Sequence, residues 1–245
     1  MVKDTFHEIF GDKKRVMFVY AHPDDAEMYS GGLIARLIKD GHQVLHLKMT
    51  KGNKGSRQEN ISEEQLAKIR ETEDETGLEI LGLTKEDSRN LDLGDGEVEN
   101  NLQTIGLIVE QIRSFRPDVI VTHNPEKVII RDNDGGLYIN HRDHRHTAQT
   151  VVDAVYPYSR DNLFFPEQLS AGLTSHTVTE LLFVDSWGDP DLVRLDVTDF
   201  YDNKMRAIAS HRSQYSQEKA EGAADYFAPI EDGRRYEYFR HAKID

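Results

Sequence analysis

The sequence contains no cysteine. Disulfide bonds and thiolate chemistry are therefore excluded, and any metal site has to be built from histidine, aspartate or glutamate. The chain also lacks an apolar run of 18 residues, which a membrane-spanning helix would need. Its first residues, MVKDTFHEIFGDKKRV, are charged throughout and contain no apolar stretch of the kind found in secretory signals. We therefore expect a cytoplasmic protein with no membrane span.

Positive charge is scarce as well. The chain has 30 Lys and Arg residues against 44 Asp and Glu residues, and its formal net charge is -14. Such a charge repels phosphate backbones and anionic lipid surfaces, so we expect no nucleic-acid partner. The hydrophobic share of 38% is ordinary for a globular protein. With 245 residues the chain can bury a sizeable core, and we expect one domain over residues 1–245.

Strand-like and helix-like segments alternate along the chain. Apolar runs predict strands, and apolar residues spaced by three and four predict helices. The predicted strands lie at 15–21, 42–50, 89–93, 118–123 and 180–186, and the predicted helices at 31–41, 63–82, 101–115, 146–156 and 199–214. This alternation predicts an α/β fold, with a Rossmann-like, mainly parallel sheet flanked by helices. The irregular segment 156–178 would be a lid over a cleft or a packed loop, and loop statistics favour the loop.

The long predicted helix at 63–82 has a defined apolar face and one glycine within it. In the long helix at 63–82, the buried face is predicted to contain Leu66, Ile69, Thr72, Thr76 and Ile80. Gly77 interrupts that helix and weakens the prediction around it.

Polar clusters follow three of the predicted strands. They are HPDDAE at 22–27, TKGNKG at 50–55 and the long segment 122–146, which contains HRDH at 141–144. Open α/β sheets bind ligands at the carboxyl ends of their strands. We therefore expect the first and third clusters to meet at one rim of the sheet.

The first and third clusters share a spacing that suits a metal. His22 and Asp25 are three residues apart, as are His141 and His144, so each pair faces one way on a helical turn. A catalytic zinc site uses three such ligands plus water, and its charge would offset the repulsion between Asp24 and Asp25. Taken singly, each cluster has an ordinary alternative: a solvated or helix-capping aspartate pair, or a surface histidine pair. Their combination after two strands favours the metal site.

The same motifs resemble a known family. AHPDDAE at 21–27 together with HRDH at 141–144 is similar to the LmbE-like, or PIG-L, family of zinc-dependent N-deacetylases. The similarity extends to TKGNKG at 50–55, RETE at 70–73, LDLGDG at 91–96, RPDVIVTHNP at 116–125 and HRSQ at 211–214. The resemblance implies a Rossmann-like fold and hydrolysis of the N-acetyl group of an amino sugar, commonly an N-acetylglucosamine conjugate.

Carried over by position, the resemblance implies a role for each motif residue. The zinc ligands would be His22, Asp25 and His144. Asp24 would be the general base, and His141, oriented by Asp143, would donate a proton or hydrogen bond to the oxyanion or leaving group. The chemistry fits, because zinc polarises a carbonyl and acidifies water, and a carboxylate beside it can take the proton. From the residues alone, Asp24 and Asp25 could exchange roles, although the spacing favours Asp25 as the ligand.

The resemblance also implies substrate contacts, with Arg70 and Asp95 binding the sugar. Each has an alternative: Arg70 could pair with Asp74 on the helix surface, and Asp95 could serve a turn. The resemblance leaves the roles of His123, His211 and Gln214 open. Glu27 is expected to be structural or to hold a ligand. Ile139 and Asn140 stand before the HRDH motif, where some relatives have a tyrosine.

The expected function is that of a metal-dependent hydrolase for a small acetylated amino sugar or its conjugate. The expected cofactor is Zn²⁺, with another divalent ion such as Fe²⁺ as the alternative in the cell. One alternative is a zinc amidase that cleaves a larger amide of a thiol-sugar conjugate. A more remote alternative is a nucleotide-binding module, which would need a glycine-rich turn after the first strand. The oligomeric state is left open, and a homo-oligomer is allowed.

Overall fold

The computed structural model describes residues 3–11, 14–131 and 136–244. The strands are β1 Arg15–Tyr20, β2 Gln43–Thr50, β3 Ser88–Leu93, β4 Val119–Thr122, β5 Ile129–Arg131, β6 Leu137–Ile139, β7 Glu180–Phe183, β8 Leu192–Asp196, β9 Ile230–Glu231 and β10 Arg234–Lys243. The helices are α1 Phe6–Phe10, α2 Asp25–Lys39, α3 Glu63–Leu81, α4 Leu102–Phe115, α5 Arg142–Asp153, α6 Pro166–Ser170, α7 Tyr201–Ser210 and α8 Gln217–Phe227. The segment Ala154–Ser159 continues from α5 as an irregular turn that is kinked at Tyr156, where the backbone is not helical. Among these described helices, none is long and apolar enough to cross a membrane.

The central sheet has the strand order β3-β2-β1-β4-β7-β10-β8, and β9 pairs with β10. Strands β3, β2, β1, β4 and β7 are parallel, and β10 runs antiparallel to both β7 and β8. The predicted mainly parallel α/β sheet is therefore confirmed. The antiparallel strands β8 and β10 were not predicted, because β10 (RRYEYFRHAK) is too rich in charge to read as a core strand. The hairpin of β5 and β6 forms a separate small sheet.

Helices cover both faces of the sheet, which explains why β1 reads as a continuous apolar run. Alternate side chains of β1 enter two different cores: Phe18 and Tyr20 join α2, whereas Met17 and Val19 join the side of α4 and α5. The fold thereby places the carboxyl ends of the parallel strands at one rim, between the two helical layers.

Helix α2 begins at Asp25, six residues earlier than predicted. The charged residues that read as a turn, Asp25 and Glu27, form its first turn, where carboxylates favour a helix N-terminus. His22 lies before the helix, so the pair at 22 and 25 does not share a regular helical turn. The two side chains are nevertheless brought together, as described below.

Helix α3 turns a different face to the core from the one predicted. Its buried residues are Leu66, Arg70, Asp74, Gly77, Leu78 and Leu81, whereas Ile69 is 42% exposed. The prediction failed because two polar residues, Arg70 and Asp74, occupy the buried face through ion pairs with other elements. Position 77 on this face has no room for a side chain, because a Cβ there would lie 2.6 Å from Glu27 Oε1.

A buried ion pair makes hydrogen bonds to the backbone in the middle of α2. Lys204 of α7 and Glu237 of β10 are both fully buried, with Nζ and Oε1 2.7 Å apart. The carboxylate accepts from the backbone N–H groups of Gly32 and Leu33, both at 2.8 Å. The ammonium group donates to the carbonyl of Met28 at 2.6 Å. Elements from the C-terminal half of the chain therefore bind both ends of one turn of α2.

The segment 156–178 is a packed loop, as the loop statistics favoured. The buried guanidinium of Arg113 in α4 donates to the carbonyls of Tyr158, Asp161, Phe164 and Phe165. Burial lowers the pKa of Arg113. A single cation thus organises a loop that has little regular structure of its own.

Candidate active site

A cleft of about 400 Å³ opens at the rim where the parallel strands end. It is bordered by the residues after β1, β2 and β3, by the start of α5, and by the connection between α7 and α8. Its lining residues are His22, Asp24, Asp25, Met28, Tyr29, Lys54, Gly55, Arg70, Asp95, Gly96, His141, His144, Gln214 and Tyr215. The predicted site residues all line this cleft except Asp143, which is fully buried behind it. No residue of 156–178 is among the lining residues.

Three side chains converge in the cleft. His22 Nδ1 lies 3.4 Å from Asp25 Oδ2 and 3.3 Å from His144 Nε2, and His144 Nε2 lies 3.3 Å from Asp25 Oδ1. Tetrahedral ligands at ~2.0–2.2 Å from a zinc ion would be separated by about 3.3–3.6 Å. The donor types and their separations therefore fit a zinc-sized divalent cation.

His123 adds a second histidine beside Asp25. Its Nε2 lies 3.4 Å from Asp25 Oδ2, and its ring stacks on that of His144 with centroids 3.9 Å apart. Burial and the neighbouring His144 lower the pKa of His123 to about 3, so this ring is neutral. Burial would raise the pKa of Asp25. The neighbouring His144 and His123 have the larger effect and hold the pKa of Asp25 well below its usual range. Asp25, His123 and His144 thus form an alternative ligand group.

The other nitrogen of His22 is held by two carboxylates. His22 Nε2 lies 3.3 Å from Asp143 Oδ2 and 3.4 Å from Asp95 Oδ1. Burial would lower the pKa of His22, but Asp143 and Asp25 raise it well above its usual range. An imidazole held in this way presents its opposite nitrogen in a fixed orientation, as metal-binding histidines commonly do.

Asp143 and His141 interact differently from what was expected. The Asp143 carboxylate accepts from the backbone N–H of Gly96 at 2.6 Å and faces His22, not His141. The backbone N–H of Asp143 instead donates to His141 Nδ1 at 3.1 Å. His141 is therefore oriented by the backbone at the start of α5. Burial and the neighbouring His22 lower the pKa of His141.

Asp95 lines the cleft, but its carboxylate already has two partners. Besides His22, it accepts from the backbone N–H of Lys54 at 2.6 Å. Burial would raise the pKa of Asp95, yet its contact with His22 lowers it to about 2. Asp95 thus links the loops after β2 and β3 to the residue after β1.

Asp24 and Arg70 form a buried pair. Arg70 Nη2 lies 3.0 Å from Asp24 Oδ1, and the same guanidinium donates to the carbonyls of Pro23 and Gly52. The alternative pairing of Arg70 with Asp74 is wrong, because Asp74 binds Lys48 instead. Burial raises the pKa of Asp24, although Arg70 opposes this shift. Asp24 does not join the Asp25–His144 group, and its carboxylate faces the cleft from the side.

His211 and Gln214, whose roles the resemblance leaves open, take two different positions. His211 is fully buried, and its Nε2 lies 3.2 Å from Glu27 Oε1, so Glu27 holds His211 and not a cleft histidine. Gln214 lines the cleft.

Two residues near the cleft were not predicted from the sequence. Tyr215 donates its hydroxyl hydrogen to Asp24 Oδ2 at 3.1 Å. Asp185, just beyond β7, accepts from Tyr138 at 3.1 Å, and burial raises its pKa to about 6. Asp185 lies at the carboxyl end of the predicted strand 180–186 and could have been found by the strand-end rule, whereas Tyr215 lies between two helices and carried no such signal.

Comparisons with known proteins agree with the motifs. The family described as PIG-L, GlcNAc-PI de-N-acetylase, matches residues 17–155. A diacetylchitobiose deacetylase of Thermococcus kodakarensis is 31% identical over 212 residues, covering 86% of this chain and 74% of that protein. A mycothiol S-conjugate amidase of Streptomyces coelicolor is 30% identical over 175 residues, covering 64% of this chain and 56% of that protein.

A solved structure resembles the whole fold. The N,N'-diacetylchitobiose deacetylase from Pyrococcus horikoshii has a TM-score of 0.84 at 26% identity, covering 97% of this chain and 87% of that one. Its agreement extends beyond the segment that the family match covers, and so includes the antiparallel part of the sheet.

Proposed function

Since the chain belongs to the PIG-L family, we propose that it is a metal-dependent N-deacetylase that releases acetate from an N-acetylglucosamine-type amino sugar. The observation that carries the proposal is the convergence of His22 Nδ1, His144 Nε2 and the Asp25 carboxylate at 3.3–3.4 Å. Asp24, the residue immediately before Asp25, stays outside this group and faces the same cleft. Ligands and base are therefore separate although they are adjacent in the chain.

His22, Asp25 and His144 are the residues proposed to hold the ion, and Zn²⁺ is the proposed metal. Both imidazole and carboxylate are zinc ligands, and no thiolate is available in this chain. When bound, such an ion acts as a Lewis acid for the acetyl carbonyl and lowers the pKa of water. Asp143 and Asp95 support the arrangement, because they hold the far nitrogen of His22.

The chain's own residues provide the proton transfers. Asp24 is buried next to the ligands, and its raised pKa suits it to take the proton of the attacking water. His141, fixed at Nδ1 by the backbone of Asp143, presents its ring to the cleft. We assign it the hydrogen bond to the developing oxyanion or to the departing amine. Gln214, Asp95 and Arg70 line the cleft where sugar hydroxyls would bind, but Asp95 already binds His22 and the backbone of Lys54, and the guanidinium of Arg70 already binds Asp24.

The test is acetate release from a panel of N-acetylated amino sugars that includes N-acetylglucosamine and its β-linked dimer. We expect release that a chelator abolishes and added Zn²⁺ restores. Asp24→Ala should lower the rate by at least ~100-fold. Asp92→Asn, which changes an exposed aspartate paired with Lys51, is the matched control and should behave as the wild type. Release that resists the chelator, or that persists in Asp24→Ala, would refute the mechanism.

A second activity is favoured by one comparison, the similarity to a mycothiol S-conjugate amidase. The same site would then cleave a larger acyl group from an amino sugar. Product analysis separates the two activities, since the deacetylase yields acetate and the amidase yields a larger acid. A chain that acts on the larger amide and not on the acetamide would replace the first proposal by the second.

A further inference from the structure

We propose that Tyr215 is a positioning residue for Asp24, and that its hydroxyl keeps the Asp24 carboxylate turned into the cleft. The hydroxyl donates to Asp24 Oδ2 at 3.1 Å, and the tyrosine lines the cleft. The two residues are 191 positions apart in the chain. The proposal rests on the deacetylase function above, in which Asp24 accepts the proton of the attacking water.

Asp24 occupies a position from which its carboxylate could readily turn away. It is the N-cap residue of α2, and an aspartate there usually folds back to accept a backbone N–H of the first turn. Asp24 makes no such side-chain bond. Its backbone, with φ 94° and ψ -26°, lies in the left-handed region, which is unfavourable for a residue with a Cβ. Contacts from elsewhere in the fold must therefore hold this conformation.

Two donors from different elements hold the two carboxylate oxygens. Arg70 of α3 binds Oδ1 at 3.0 Å, and Tyr215 binds Oδ2 at 3.1 Å. A carboxylate bound at one oxygen alone can still rotate about its Cβ–Cγ bond. The second donor fixes its plane, which sets the direction of the lone pairs that face the cleft.

The segment that carries Tyr215 is itself anchored. His211 Nε2 lies 3.2 Å from Glu27 Oε1 beneath the first turn of α2. Ser213 donates its backbone N–H and its hydroxyl hydrogen to Glu73 at 2.7 and 2.6 Å. The backbone N–H of Tyr215 donates to the carbonyl of His211 at 2.9 Å. The hydroxyl is thus presented from a fixed support, as a positioning role requires.

The first test is Tyr215→Phe, which removes only the hydroxyl group. We expect kcat to fall roughly tenfold, because a misdirected base transfers the proton less efficiently. KM and bound metal per chain should stay at wild-type values, and the thermal midpoint should fall only slightly, because a single hydrogen bond is lost. Tyr201→Phe is the matched control: it removes a hydroxyl that donates to Asp225 at 2.6 Å, outside the cleft, and should leave kcat unchanged. A wild-type kcat in Tyr215→Phe would overturn the proposal.

A second test asks whether Tyr215 acts through Asp24. In an Asp24→Asn background, assayed at high enzyme concentration, adding Tyr215→Phe should cause no further loss. The same tenfold loss in that background would overturn the proposal and place the hydroxyl on the substrate. A crystal structure of Tyr215→Phe gives an activity-independent readout, in which the Asp24 carboxylate should have rotated. If the wild type releases no acetate, the proposed function fails, but the rotation of Asp24 still decides whether Tyr215 positions it.

Discussion

Asp24 and Asp25 are neighbours in the chain, yet their carboxylates have different partners. Asp25 faces His22, His123 and His144, whereas Asp24 turns to Arg70 and Tyr215. The left-handed backbone of Asp24 and the start of α2 at Asp25 send the two side chains in different directions. A difference in backbone conformation between two identical residues thus separates a proposed ligand from a proposed base.

The buried Glu27–His211 pair leads to a prediction at the same scale. Burial alone would lower the pKa of His211, but Glu27 raises it to about 9, with help from Asp24 and Asp74. His46, which also lies near this pair, is neutral because burial lowers its pKa to about 3. Since the folded-state pKa of His211 exceeds its unfolded value of ~6.5, the pair stabilises the fold fully below pH ~6.5. That contribution is lost as the pH rises through about 9.

We therefore expect the Glu27–His211 pair to lower the free energy of unfolding by about 3 kcal/mol between pH 6.5 and 9.5, in addition to the decline caused by His22, whose pKa is also raised. The measurement is urea unfolding of the metal-free protein across this range. His211→Gln should decline less than the wild type by about 3 kcal/mol, because its side chain does not titrate, whereas the contribution of His22 should remain. An equal decline in wild type and variant would show that other groups cause it.

At the scale of elements, α2 is positioned by close backbone packing. A Cβ on Gly32 would lie 2.6 Å from Val197 Cβ, whereas one on Gly222 in α8 would meet nothing within 4 Å. Gly32→Ala should therefore destabilise the protein by about 1–3 kcal/mol through overpacking. Gly222→Ala, the matched control, should stabilise it by up to ~1 kcal/mol through helix propensity. Urea unfolding distinguishes the two signs, and equal signs would contradict this account of α2.

The Lys204–Glu237 pair provides the polar part of the same packing. Lys204→Met would leave a buried carboxylate without its cation, so we expect a loss of about 3–5 kcal/mol in unfolding free energy. Lys204→Met combined with Glu237→Gln should recover part of this loss, because no uncompensated charge remains. Arg206→Ala breaks an exposed pair with Asp202 and should cost less than ~1 kcal/mol. A Lys204→Met variant as stable as Arg206→Ala would show that the Lys204–Glu237 pair does not stabilise the packing of α2.

At the scale of the whole molecule, the proposed metal site joins residues that are about 120 positions apart in sequence. A cation that binds the folded state alone stabilises it by about 2.7 kcal/mol at 100 times its dissociation constant. For a chain of this size, that corresponds to a rise in the thermal midpoint of roughly 5–10 °C. Thermal unfolding of the chelator-treated protein, with and without Zn²⁺, measures the effect.

His144→Gln should abolish this metal-dependent rise. His146→Gln is the matched control, since His146 lies outside the cleft lining and accepts a hydrogen bond from the backbone of Asn100 at 3.4 Å. It should retain the full rise. A rise that survives in His144→Gln would place the metal at a group without His144, such as His22, Asp95 and Asp143.

Much of the architecture follows from local patterns. The alternation of apolar runs with amphipathic segments predicted the parallel sheet, and the strand-end rule placed 22–27 and 141–144 at one cleft. The errors arose where distant partners outweigh local preference. Arg70 and Asp74 are buried in α3 because Asp24 and Lys48 neutralise them, and apolar periodicity does not register such residues. The extent of the domain, residues 1–245, and the roles of the site residues stay predictions.

The sequence by itself determined the donor chemistry: histidines and carboxylates without thiols, in two short motifs that follow strands. Residues a few positions apart are held near one another by any local conformation, so such motifs can be read without a fold. Only the tertiary structure decided which atom faces which. It turned the Asp143 carboxylate to His22, gave His141 a backbone donor, and brought Tyr215 to Asp24 from the far end of the chain. These contacts depend on how whole helices pack against the sheet, which no short stretch of sequence specifies.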